Sequence, residues 1–126
     1  MSESEMQVKS IKWLSIPAAE AEVEITDGTF SFVAFACPCE VQVDDKLSEP
    51  LHIFNIRNAM LVENASPGIW NITENGLGRR VIAELTDVSK QLFMVRGIAL
   101  VVDEYLPSGL EQGSLVKFEC ARIDLW

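Results

Sequence analysis

Apolar and polar residues alternate with a period of two along several stretches of this chain, the signature of strands half-buried on a sheet. Ala21, Val23 and Ile25 interleave with Glu20, Glu22 and Glu24, giving one face to a core and an acidic face to water. Asp27-Gly28 then reads as a two-residue turn of the type that joins antiparallel strands. Threaded through that turn, Thr26 meets Thr29, Ile25 meets Phe30, Val23 meets Phe32 and Ala21 meets Ala34, so both alternations send apolar side chains to one face. The second strand is less regular. Val33 and Phe35 make it apolar on both sides, as in the long coiled strands of small closed barrels, and Pro38 stops it.

Elsewhere the pattern predicts shorter elements. Residues 8–16 read as a strand or irregular lead-in before the helix-averse Ile16-Pro17. Val41 and Val43 suggest a short edge strand. Residues 51–62 read as one bent strand or two short ones meeting near Arg57-Asn58. Residues 69–72 and 81–88 are further candidates. Residues 92–102 form the most apolar segment, and Arg96-Gly97 inside it predicts a bulge or sharp bend. Val116, Phe118 and Cys120 alternate with Lys117 and Glu119, then the phase slips near Ala121-Arg122, which predicts a bulge or the end of an element. Trp126 is expected to dock on the barrel or on a neighbouring subunit.

Six to eight strands, glycine-containing turns and no sustained helical period predict an all-β fold. The expected form is a small antiparallel barrel, with a two-sheet β-sandwich as the alternative. The order of strands and turns over most of residues 8–126 resembles a small oligonucleotide/oligosaccharide-binding (OB-like) barrel. Residues 109–118 are similar in cadence to the loop and strand of many such barrels. The resemblance is one of pattern and carries over no functional residue.

Length and composition fit this picture. A 14.0 kDa chain of 126 residues buries about two-thirds of its extended surface, enough for one core and too little for two. The expected organisation is therefore a flexible N-terminal tail, residues 1–7, and a single β domain, residues 8–126. The formal charge is -9, which opposes binding nucleic acid through its phosphates. Residues 1–50 hold ten acids and three bases, a net of -7, and residues 51–126 nine acids and seven bases, a net of -2. The opening MSESEMQVKS lacks the basic and apolar regions of an export signal, so a cytoplasmic location is expected. No apolar run reaches membrane-spanning length, so no membrane partner is expected.

Chemistry is sparse. Cys37, Cys39 and Cys120 are an odd number of thiols without a metal-site spacing, and they read as small buried hydrophobes. His52 is the only histidine and the first place to look for acid–base work. Asp44-Asp45 and Asp103-Glu104 are adjacent acids in polar turns. Gly76-Leu77-Gly78-Arg79-Arg80 is the one basic cluster, and Arg79 and Arg80 with Arg57 and Arg96 form the candidate set for an anionic ligand. No catalytic residue, metal or cofactor is assigned.

The leading expectation is a non-enzymatic domain that acts by protein–protein contact or self-association. It would do so through an apolar sheet face at residues 29–37, the acidic first half and Trp126. The alternatives are single-stranded nucleic-acid or oligosaccharide binding through the four arginines, and a small hydrolase centred on His52.

Overall fold

The computed structural model describes residues 5–125; Trp126 and the first four residues lie outside them. The described residues form twelve strands, β1 (Met6–Ser15), β2 (Glu20–Thr26), β3 (Ser31–Ala36), β4 (Lys46–Leu47), β5 (Leu51–Phe54), β6 (Arg57–Val62), β7 (Gly68–Asn71), β8 (Arg79–Asp87), β9 (Leu92–Val95), β10 (Ile98–Val102), β11 (Leu115–Cys120) and β12 (Arg122–Leu125). The all-β expectation holds. One hydrogen-bonded sheet joins them in the order β4-β1-β2-β3-β12-β5-β10-β9-β8-β11-β6, with β7 paired to β8 outside that path.

The expected OB-like barrel does not form, nor does its alternative of two separate sheets. The ladder stays open, ending at β4 and β6. Closing it would require the end strands to pair, and β4 contributes only two residues. Nor is the sheet antiparallel throughout, because β3 with β12 and β5 with β10 run parallel. Single-strand alternation is identical in the two arrangements, so the sequence could not distinguish them.

The open sheet is not flat. From β3 to β8 the ladder takes five steps, about 24 Å at roughly 4.8 Å each, beyond the reach of one side chain. Yet the Arg79 guanidinium at the start of β8 donates to the Val33 carbonyl of β3 at 3.0 Å. The flanks are therefore brought over a common core. Val23, Leu51, Val81, Phe93, Leu100, Phe118 and Ile123, from seven strands, belong to one buried cluster.

The β2–β3 hairpin keeps its expected faces but changes its register. Thr26 pairs with Ser31, Ile25 with Phe32, Val23 with Ala34 and Ala21 with Ala36, a shift of two residues that preserves parity. Val23, Ile25 and Phe32 are buried, and Phe30 leaves the strand to pack against the core from the loop. The cause is the Asp27 side chain. Its Oδ1 accepts from the backbone N–H of Thr29 (2.9 Å) and Phe30 (3.2 Å) and from the Thr29 hydroxyl (2.7 Å), building a four-residue loop. Its Oδ2 accepts from the Gly97 N–H at 2.9 Å, in the β9–β10 turn. A Cβ at Gly97 would stand 2.9 Å from the Asp27 Cβ, so this approach needs glycine. Burial raises the Asp27 pKa, but the bonds from Thr29, Gly97 and Phe30 outweigh it and hold the carboxyl below its ordinary value.

Other boundaries were partly legible. Residues 51–62 divide into two strands, β11 ends at Cys120 where the phase slips, and β1 begins at Met6, whose side chain is buried within the stretch expected to be tail. Val41 and Val43 form no strand; the short edge element is β4. At Arg96-Gly97 the chain takes the sharp-bend alternative and forms no bulge. The bend is a two-residue turn between paired Val95 and Ile98, with Arg96 at φ 54°.

Candidate functional site

β1 pairs with β2 along its length, but beyond Val8 no strand among the described residues pairs with its other edge. Its register with β2 shifts between Val8 and Ser10 and again between Trp13 and Ser15, the irregularity by which a strand takes extra local twist. Trp13 pairs with the fully buried Ala21, yet Trp13 and Leu14 are each 46% exposed and Ile16, at the turn, is 75% exposed. Pro17 follows and supplies no N–H for a ladder. Residues 13–19 carry no charge, so the β1–β2 hairpin ends in an apolar tip.

Backbone contacts hold this tip. Ala19, at φ 55°, donates to the Ile16 carbonyl at 3.1 Å, and the Cys39 N–H donates to the Ala19 carbonyl at 2.7 Å. The Cys37 thiol lies 3.7 Å from the Ala18 carbonyl. These contacts place the tip beside residues 37–39, and Pro38 is also a wall of an open hollow of about 280 Å³. Val41, Leu47, Pro50 and Leu125 complete its apolar lining. Glu40, Lys46 and Glu49 supply its charges.

A second cluster lies on the outer face of β3, β12 and β5. The Arg122 guanidinium carbon sits 4.9 Å from the Phe35 ring centre and 4.4 Å from that of Phe54, and Nε donates to Asp124 at 2.6 Å. Stacking on two rings with an ion pair fixes the guanidinium. The doubly apolar strand is thereby explained, since Phe35 meets Arg122 rather than a second core. Beside this stack, His52 Nδ1 and Asp103 Oδ2 are 2.7 Å apart. A hollow of about 340 Å³ adjoins them, lined by Ile53, Phe54, Asn55, Asp103, Glu104 and Asp124. None of these six carries a hydroxyl or thiol. Its carboxylates already have structural partners, with Glu104 accepting from the Asn55 and Ile56 N–H groups. The histidine thus has a carboxylate partner, and the hollow offers no hydroxyl or thiol beside it.

The four candidate arginines occupy different settings. Arg57 and Arg80 share Glu119, at 3.8 and 3.2 Å. Bonds from Asn58 and then Arg80 hold that carboxyl below its ordinary value. Arg79 is 2% exposed and donates to the carbonyls of Gly76, Gly78 and Val33 at 2.8 to 3.0 Å, while its Nε has no partner. Burial lowers its pKa. Arg96 stands in the β9–β10 turn. Only Arg57 and Arg80 meet on a common partner.

Cys39 and Cys120 are buried, as expected, but Cys37 is exposed because it lies past the end of β3. Burial pushes the Cys120 thiol up to about 12. No group of three or more His, Cys, Asp or Glu among the described residues could hold a metal ion, and none of these residues forms a helix long and apolar enough to cross a membrane. The sequence signal for the tip was partial: adjacent Trp13 and Leu14 break alternation just before Ile16-Pro17. Comparisons with protein-family models, with curated proteins and with solved structures find no match for this chain.

Proposed function

We propose that this β domain acts by protein contact, without catalysis, and that the contact is made by the apolar tip of the β1–β2 hairpin. The carrying observation is the exposure of Ile16 at 75%, with Trp13 and Leu14 at 46%, on an uncharged segment of a chain whose net charge is -9. Covering an exposed Ile or Leu contributes on the order of 1.5–3 kcal/mol, and clustered apolar side chains on a soluble surface mark interaction sites. The edge of β1 beyond Val8, unpaired among the described residues, lies on the same hairpin and offers backbone groups to an extended segment of a partner. This moves the contact from the sheet face expected at residues 29–37 to the adjoining hairpin. β3 has β2 on one edge and β12 on the other, and Phe35 lies against Arg122.

Selection of displayed peptides on the immobilised chain tests this reading. Binders should weaken at least about tenfold on Ile16→Asp and ignore Met60→Asp, a change at an exposed residue of β6. Binders indifferent to Ile16→Asp, or dependent on Met60, would overturn it.

A further inference from the structure

We infer that Asn75 is a site of spontaneous covalent modification, and that its isoaspartyl product loosens the buried Arg79 strap between β8 and β3. The reaction is independent of any contact made by the β1–β2 tip.

Asparagine is one of the chemically labile side chains, most so before glycine. The backbone nitrogen of the next residue attacks the carboxamide carbon, an N–C bond forms, and the bond to Nδ2 breaks. The proton of the attacking nitrogen leaves with Nδ2 as ammonia. Water then opens the five-membered imide at either carbonyl. One opening gives aspartate. The other gives an isoaspartyl linkage, in which the main chain runs through the side-chain carbon and is one atom longer. No oxidation state changes, and water is the only co-reactant.

A Cβ on the following residue shields the attacking nitrogen, and glycine has none. Asn55 and Asn71 precede isoleucine, Asn58 and Asn64 precede alanine, and Asn75 alone precedes glycine. Asn75 is exposed, in the loop between β7 and β8. Among the described residues no hydrogen bond engages its carboxamide or the Gly76 N–H. A Cβ at Gly76 would collide with the Thr73 hydroxyl, so the loop requires the very glycine that makes its neighbour reactive.

Asp27-Gly28 is the internal contrast, since aspartate before glycine closes the same ring with loss of water. There the Gly28 N–H donates to the Thr26 hydroxyl at 3.0 Å, and four donors hold the carboxylate. Both reacting groups are tied down. At Asn75-Gly76 neither is.

The lengthened backbone acts on Arg79. Its Nη1 donates to the carbonyls of Gly76 (2.8 Å) and Gly78 (2.9 Å), and its Nη2 reaches Val33 of β3 (3.0 Å). Nε has no partner, and no carboxylate bonds this buried guanidinium among the described residues. An extra atom just before Gly76 displaces the first of these acceptors, and a buried cation that loses an acceptor is destabilising.

Incubating the full chain at mildly alkaline pH tests the site, with fragment-ion mass spectrometry and enzymatic methylation of isoaspartyl carboxyls as readouts. Asn75 should convert at least about tenfold faster than any other asparagine, because only its neighbour lacks a Cβ. Conversion should slow at mildly acidic pH, where the amide nitrogen is less readily deprotonated. Asn75→Gln, which can close only a six-membered ring, should release almost no ammonia. Asp27 should stay unmodified until urea unfolds the chain. The isoaspartyl form is then separated and unfolded in urea beside Asn75→Asp, which carries the same charge on an unaltered backbone. Its unfolded-to-folded ratio should be about tenfold larger, the loss of one hydrogen bond from a charged donor, while Asn75→Asp unfolds like the wild type. A folded chain in which Asn75 converts no faster than Asn58 or Asn64 would overturn the site. Equal stability of the isoaspartyl and Asn75→Asp chains would overturn its link to Arg79.

Discussion

At the C-terminal end of β2 the chain turns on Asp27, whose carboxylate collects four donors, one of them from the distant Gly97. At the N-terminal end of the same strand it turns on residues 16–19, where apolar side chains point outward and the backbone is held from beside by Cys39. One end uses a polar side chain to tie two turns together and exposes little apolar surface. The other does the reverse. The difference teaches how one strand can carry opposite surfaces at its two ends: the Asp27 end ties distant turns together, and the Ile16 end leaves apolar side chains in water.

That contrast can be broken by mutation. Asp27→Ala removes the acceptor for all four donors and should lower stability by about 3 kcal/mol in urea unfolding, given roughly 1 kcal/mol per hydrogen bond and more for a charged acceptor. A loss under about 1 kcal/mol would show that the turn is held without its carboxylate. The pH profile sharpens the same point. Because the folded Asp27 carboxyl titrates below its ordinary value, its stabilisation is present above that value and disappears as pH falls through the lowered one. Acid unfolding of the wild type should therefore be steeper than that of Asp27→Asn.

Gly97→Ala should cost about 1–2 kcal/mol, since its new methyl would press on the Asp27 Cβ. At the opposite end, Ile16→Ser should change stability by no more than about 0.5 kcal/mol, because the side chain is already in water. A loss as large as that of Asp27→Ala would erase the distinction. The smallest effect is chemical. In the folded chain a thiol reagent should modify Cys37 quickly, with Cys39 and Cys120 modified only on unfolding; rapid modification of two or three thiols would contradict their burial.

Much of the fold was legible wherever a face was decided by one strand alone. Ala21, Val23 and Ile25 announce their burial by alternation, and the slip at Ala121-Arg122 announces the break between β11 and β12. Register was less legible, because the Asp27 side chain, rather than the Asp-Gly backbone, set the loop length. Closure and strand direction were not legible. Both depend on which strands meet across long separations, and alternation reads the same for a parallel neighbour as for an antiparallel one. The candidate site was half visible. Trp13, Leu14 and Ile16 stood out as apolar, but their exposure depends on which elements pack over them, and alternation along one strand does not show that. Arg79 looked like an anion ligand because an arginine that caps carbonyls has the same sequence appearance as one that faces solvent.

The place of β12 bears on how the molecule is made. It is the last strand to be synthesised of the twelve, and it lies between β3 and β5 near the middle of the ladder. Until residues 122–125 are made, β3 lacks its ladder partner on that edge, and the β1–β2–β3 half meets the rest through contacts such as those of Asp27 with Gly97 and Val33 with Arg79. The ladder is thus completed by a late central strand, a long-range closure of the kind that slows folding and exposes nascent chains to aggregation and chaperone capture.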